Sequence, residues 1–239
     1  MNQFEMTPTA AFETTTAASA ERVTTFLRAV YGWMCVGLGI TAAVAWGLFQ
    51  SPETMAAIAA NPILRWGVIL APLGLVFFLA ARVNKMAPTT ASVVFAIYSA
   101  LNGIMFSFVL AAYTGTSVVS TFVVTAGMFG ALALFGTTTK RSLAGVGQFA
   151  VMGLVGLLLA MIVGFFWHSG ALQFIISVVG VIVFTALTAW DAQRLKLMAA
   201  AVPEGRFGSY AVVGALSLYL DFINLFLFLL RFLGVGRRD

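Results

Sequence analysis

Two aspartates interrupt the apolar stretches of this 239-residue chain, and they are its best candidates for ionic chemistry. Asp221 lies near the middle of the apolar run 210–231, and Asp191 directly follows the run 171–190. An ionised aspartate inside a membrane helix costs about 2.5–3.5 kcal/mol, so intramembrane acids usually mark functional sites. Two carboxylates that share a cavity repel each other and titrate as a unit. The pair therefore predicts a site that senses protons or passes cations.

Helical spacing places further polar groups beside Asp221. Ser217 and Asn224 lie four residues before it and three residues after it, on the same helical face. The remaining faces of this run carry mainly leucine and aromatic residues. A polar stripe on an apolar helix should point into a bundle, so we expect the last helix to be central and Ser217 and Asn224 to line a pathway.

Two residues on other runs extend the candidate site. Asn102 belongs to a polar stripe on the third apolar run, and Arg82 ends the second run. A contact between Arg82 and Asp191 would make a latch that opens with pH. Plainer roles stay open: Arg82 as an interfacial side chain, Asp191 as a solvated loop residue bonded to Arg194, and Asp221 as a hydrogen-bonding contact between helices.

The elements that would hold these residues follow from composition. Hydrophobic residues make up 61% of the chain and charged residues only 9%, against about 25% charged in soluble domains. Runs of about 20 apolar residues without strict alternation favour membrane-spanning helices. We therefore predict an all-α polytopic membrane protein and exclude soluble enzymes and disulfide scaffolds. The seven predicted spans are 29–49, 63–82, 90–112, 116–136, 145–167, 171–190 and 210–231.

Outside the spans, the chain divides simply. Residues 1–28 are polar and predict a mobile tail, residues 29–233 the membrane domain, and residues 234–239 a short basic C-terminal tail. The stretch from Asp191 to Ser209 predicts the one long loop. Small residues within the spans would let helices approach closely. They are Gly37, Gly39, Gly127, Gly130, Gly153, Gly156 and Gly180.

Charge distribution predicts an orientation. Seven spans divide the 13 Lys and Arg residues into nine on the side of the N-terminus and four on the other side. The positive-inside rule then places the N-terminus in the cytoplasm. We therefore interpret the net charge of +5 as a signal of membrane topology, and we do not expect nucleic-acid binding. The single cysteine, Cys35, and the single histidine, His168, exclude a Cys-rich zinc site and a bis-histidine haem, and we expect no cofactor.

Several sequence motifs resemble the Bax inhibitor-1 family, in particular its bacterial branch. Residues 215–226 read ALSLYLDFINLF, which resembles the C-terminal signature of that family. Residues 188–196 read TAWDAQRLK and resemble the motif of the family's sixth helix. Weaker similarities are FVVTAGMFG at 122–130, TTTKR at 137–141 and FLRAVYGWM at 26–34.

The resemblance implies seven helices, with the last surrounded by the other six, and a pH-sensitive calcium leak. Its two functional aspartates correspond to Asp191 and Asp221, which would bind calcium only weakly and in transit. The acidic residue that some members carry in the second helix is absent between Leu70 and Ala81. Resemblance to some bacterial members of the family implies a different role, that of a non-conducting modulator of a membrane-bound protease or of a stress response.

An enzyme with the same two acids is the remaining class. Intramembrane aspartyl proteases also place aspartates on two neighbouring helices. The segment Leu218-Tyr219-Leu220 before Asp221 lacks the glycines that those enzymes carry there. We therefore expect this protein not to be an enzyme, and to sit in a bacterial inner membrane with lipid, calcium or protons as its partners.

Overall fold

The computed structural model describes residues 8–82, 85–167, 169–203 and 205–237. Over these ranges the chain forms eight helices. In chain order they are α1 (Pro8–Phe49), α2 (Pro52–Ala60), α3 (Pro62–Arg82), α4 (Pro88–Ala112), α5 (Gly115–Thr138), α6 (Ala144–Phe166), α7 (Gly170–Ala201) and α8 (Phe207–Leu233).

Seven of these helices, all except α2, are long and apolar enough to cross a membrane. This confirms the predicted number of spans. Proline begins α2, α3 and α4 because its fixed φ suits the first helical turn and its missing N–H is not needed there. Nine-residue α2 buries none of its side chains and lies between the first two spans.

The last helix occupies the centre of the bundle, as predicted. In its most apolar window 72% of the residues are buried, against 12–33% in the other six spans. It packs against α1, α4, α5 and α7. Tyr219, Leu218 and Leu225 on α8 are fully buried, and together with α1 residues such as Phe26 and Val30 they belong to the hydrophobic core.

Contacts between distant segments define two ends of the bundle. At the end that we call the N-face, the Arg22 side chain on α1 donates to the Val202 carbonyl after α7, and Ser209 Oγ donates to the Met86 carbonyl at 2.8 Å. At the opposite face, the Thr114 N–H donates to the Val235 carbonyl at 3.1 Å. The C-terminal segment 234–237 therefore lies across the bundle from the N-face.

The first helix begins earlier than the sequence suggested. The segment predicted as a mobile tail enters α1 at Pro8, and Phe26 within that segment is fully buried. Alanine-rich sequence supports this extension, because alanine has the highest helix propensity. The segment 1–7 falls outside the described residues. Residue 28 is not an element boundary.

The predicted loop from Asp191 to Ser209 was wrong over most of its length. Helix α7 continues to Ala201, and α8 begins at Phe207. Apolar character ends near Asp191, but the following residues are compatible with a helix until Pro203, which cannot continue one. Asp191 consequently sits on a helix inside the bundle rather than on a loop.

Candidate functional site

Asp191 lies on α7, ten residues before the N-face end of that helix. At 1.5 Å per residue this places it about 15 Å from the end of α7. The carboxyl is buried, with 7% of the residue exposed. Its Oδ2 accepts a hydrogen bond from Ser217 Oγ on α8, and Arg194 Nη1 lies 3.7 Å from its Oδ1. The Arg194 side chain is exposed, and its guanidinium carbon lies over the Trp190 ring, 5.5 Å from the ring centroid.

Asp221 lies one turn after Ser217 on α8 and is also buried, at 5% exposure. Residues four apart on a helix share a face, so Asp221 and the Ser217 that bonds Asp191 are neighbours. Among the side chains described, none hydrogen-bonds Asp221 Oδ2. The structure thus places the two predicted acids near each other, Asp191 bonded to Ser217 and Asp221 one turn further along α8.

A partly exposed stripe runs along the otherwise buried central helix. Between residues 211 and 230, the partly exposed positions recur at steps of four, three, four and three, which is one helical face. Two of them, Ser217 and Asn224, flank Asp221. The buried acids therefore lie next to the partly exposed face of α8. The five positions of this stripe are Val213, Ser217, Leu220, Asn224 and Leu227.

The other predicted site residues are less closely connected. Asn224 Nδ2 donates to the Leu220 carbonyl at 2.8 Å, and Asn102 Nδ2 donates to the Tyr98 carbonyl at 2.9 Å, so both amides bond within their own helices. Arg82 is exposed at the end of α3, with its guanidinium 5.8 Å from the Phe78 ring centroid.

The structure does not bring Arg82 to Asp191. Within the described ranges, the cation paired with Asp191 is Arg194 of the same helix. The i, i+3 contact considered as the plainer alternative is therefore present. Asp191 is nevertheless buried rather than a solvated loop residue.

A buried hydroxyl cluster was not predicted from the sequence. Thr41 Oγ1 on α1 lies 2.6 Å from the Tyr219 hydroxyl of α8, and 2.9 Å and 3.0 Å from the carbonyl oxygens of Ser99 and Gly37. All of these groups are deep in the bundle. Buried tyrosine hydroxyls usually find a hydrogen-bond partner. Tyr219 on an apolar helix was therefore the sequence feature that could have indicated this contact. The cluster ties α8 to α1 and α4.

The acids could hold a cation only loosely. The parts of the chain that the structure describes contain no group of three His, Cys, Asp or Glu side chains suited to a metal ion. Two carboxylates and the Ser217 hydroxyl supply at most five oxygens, whereas Ca²⁺ takes six to eight. Water would have to complete the coordination shell of any calcium ion here.

Comparison with known proteins places these features in a family. The family model described as "Inhibitor of apoptosis-promoting Bax1" matches residues 23–238. The inner membrane protein YbhL of Escherichia coli strain K12 is 46% identical over 216 residues, covering 89% of this chain and 92% of YbhL. An uncharacterized protein of Borreliella burgdorferi is 41% identical over 216 residues, covering 90% and 93% of the two chains.

An uncharacterized membrane protein of Streptococcus pyogenes serotype M1 is 37% identical over 212 residues, which cover 87% of this chain and 92% of the streptococcal protein. The match of the family model contains both acids and all seven spans except the first residues of α1. The chain belongs to the Bax inhibitor-1 family of integral membrane proteins.

Proposed function

We propose that this protein is a pH-sensitive calcium leak in which the Asp191/Asp221 pair sets whether cations pass. The observation that carries the proposal is the placement of both acids. They are buried on adjacent helices and border the partly exposed stripe of α8, with Asp191 bonded to Ser217 one turn before Asp221. A buried acid pair beside a partly exposed helix face combines a proton acceptor with a cation ligand, the two parts that a pH-sensitive leak requires.

The chemistry of the donors suits transit rather than storage. Carboxylate oxygens attract a divalent cation when they are ionised, and protonation removes that attraction. An incomplete set of protein ligands leaves water on the ion, so the ion is held weakly and can leave again. Arg194 adds a positive charge beside Asp191 and would compete with a cation for the same carboxylate.

The test is calcium flux into liposomes that contain the purified full-length protein and an enclosed calcium dye, measured over a series of pH values. We expect Asp191→Asn and Asp221→Asn each to lower the flux several-fold and to flatten its pH dependence. Glu53→Gln is the matched control, because Glu53 is an exposed acid on α2, away from the pair. Unaltered flux and pH response in Asp221→Asn would refute the proposal.

The alternative function is a non-conducting modulator of a membrane-bound protease or of a stress response. It becomes the better explanation if folded wild-type protein gives no flux at any pH. Deleting residues 1–20 would then be the informative change, because partner proteolysis should respond to the loss of this segment while the helix bundle stays intact.

Localisation and orientation form part of the proposal. YbhL is an inner membrane protein, and we infer the same membrane for this chain, with its N-face in the cytoplasm. The excess of basic residues on that side supports this orientation. Seven spans place the C-terminus on the face opposite the N-terminus. A reporter that is active only outside the cytoplasm should therefore be active when it is fused after residue 239.

A further inference from the structure

A basic cavity lies at the N-face, apart from the acid pair. It has a volume of about 230 Å³ and sits between the connection from α5 to α6 and the last turns of α7. Three cationic side chains line it together with two hydroxyls and an amide. These residues are Lys140, Arg141, Lys196, Thr139, Ser142 and Gln193.

Hydrogen bonds from α7 fix the shape of this cavity. Gln193 is 9% exposed, and its Oε1 accepts from the Leu143 N–H at 2.8 Å while its Nε2 donates to the Arg141 carbonyl at 2.9 Å. Lys196 Nζ donates to the Thr137 carbonyl, in the last turn of α5, at 2.6 Å. The connection is therefore held in place from both ends, and the cavity exists before any ligand arrives.

The charge around the cavity is one-sided. No carboxylate lines it, and the acid nearest along α7, Asp191, is occupied by Ser217 and Arg194. Helix α6 begins at Ala144, two residues after the lining residue Ser142, and adds the positive end of its helix dipole. An arginine fork, lysines and hydroxyls are the groups that bind the oxygens of a phosphate.

We propose that this cavity binds the phosphate of an anionic lipid headgroup. Two features favour a lipid over a free anion. Leu197 lines the same cavity with 68% of its surface exposed, which suits contact with acyl chains. An apolar groove of about 330 Å³ between α1 and α5 extends along α5 as far as Thr137, whose carbonyl accepts from Lys196. Basic pockets at the cytoplasmic ends of membrane helices commonly hold such headgroups.

The experiment measures lipid retention on the full-length protein by native mass spectrometry. Protein is taken from nanodiscs that contain phosphatidylcholine with a minor fraction of phosphatidylglycerol. The double variant Lys140→Gln/Arg141→Gln removes two exposed cations and leaves the Gln193 and Lys196 contacts in place. Both side chains can donate charge-assisted hydrogen bonds to a bound phosphate, so we expect phosphatidylglycerol retention to fall by at least about ten-fold.

The control Arg28→Gln/Lys85→Gln removes the same charge from exposed positions at the N-face outside the cavity. We expect it to keep nearly the wild-type retention. Equal losses in both variants would overturn the proposal, because they would indicate unspecific attraction to the surface. Displacement of the lipid by millimolar inorganic phosphate would also overturn it and identify a free-anion site. This readout is independent of calcium flux, so it can fail while the proposed leak stands.

Discussion

The contact between α5 and α7 beside the acid pair gives the sharpest prediction on stability. A Cβ atom added at Gly136 would collide with the Ala189 carbonyl oxygen and would lie 3.1 Å from the Cβ of Ala192. These two alanines flank Asp191. The colliding atom belongs to the backbone, so no side-chain rotation can relieve the clash, and α7 itself would have to move away from α5.

Two opposing terms set the size of the effect of Gly136→Ala. Overpacking costs about 1–3 kcal/mol, and the rigid neighbour argues for the upper end. Replacing glycine by alanine inside a helix returns about 1 kcal/mol. The net loss is about 2 kcal/mol, or roughly 4–8 °C in melting temperature for a chain of this length.

Thermal unfolding in detergent, followed by size-exclusion chromatography, measures this loss. Gly127→Ala on the same helix is the matched control, because nothing lies within 4 Å of a Cβ there and only the gain in helix propensity remains. We expect the control to melt at or above the wild-type temperature. If Gly136→Ala melts with the control, α5 and α7 do not pack as closely as the structure shows, and the reasoning is refuted.

Three further predictions concern polar contacts. Thr41→Val should lower the melting temperature more than Tyr219→Phe does, because it leaves the buried tyrosine hydroxyl without this hydrogen-bond partner. Equal effects of the two variants would argue against the 2.6 Å contact. Gln193→Ala should speed amide hydrogen exchange at Leu143, whose N–H it leaves without its acceptor, with the exposed Gln148→Ala as control. Ser117→Ala should do the same at Val235, since Ser117 Oγ accepts from that N–H at 2.9 Å.

Apolar patterning predicted the helices of the bundle well. Seven runs became seven spans because the bilayer leaves an apolar segment of that length few alternatives to a helix. The position of α8 followed from one observation, the polar face around Asp221, since such a face is costly against lipid. Helix ends were predicted less well, because hydropathy reports where a helix leaves the membrane and not where it stops. Asp191 on the extended α7 is the example.

The sequence did not show which residues of neighbouring helices contact each other. Of the seven glycines expected at close contacts, Gly37, Gly153 and Gly180 do meet side chains of other helices. A Cβ at the other four, Gly39, Gly127, Gly130 and Gly156, would meet nothing within 4 Å. Rotation of each helix about its axis decides this outcome, and rotation depends on all the packed partners together. Whether Arg82 of α3 reaches Asp191 depends on the same packing, whereas the contact of Arg194 with Asp191 is local to one helix.

The energetics of the acid pair argue against a purely structural role for Asp221. The hydrogen bond from Ser217 offsets part of the burial of Asp191, since hydrogen bonds to charged groups contribute about 1.5–3 kcal/mol, and Arg194 adds an ion pair at 3.7 Å. Asp221 Oδ2, like Asp191 Oδ1, has no hydrogen-bond partner in the described chain, and Asp221 also has no cation paired with it there, while an ionised aspartate within a span costs about 2.5–3.5 kcal/mol. A neutral asparagine would make helix contacts without that cost or the repulsion from Asp191. Asp221→Asn should therefore melt at or above the wild-type temperature while its flux falls. That combination would assign Asp221 a functional role, whereas a lower melting temperature with unaltered flux would assign it a structural one.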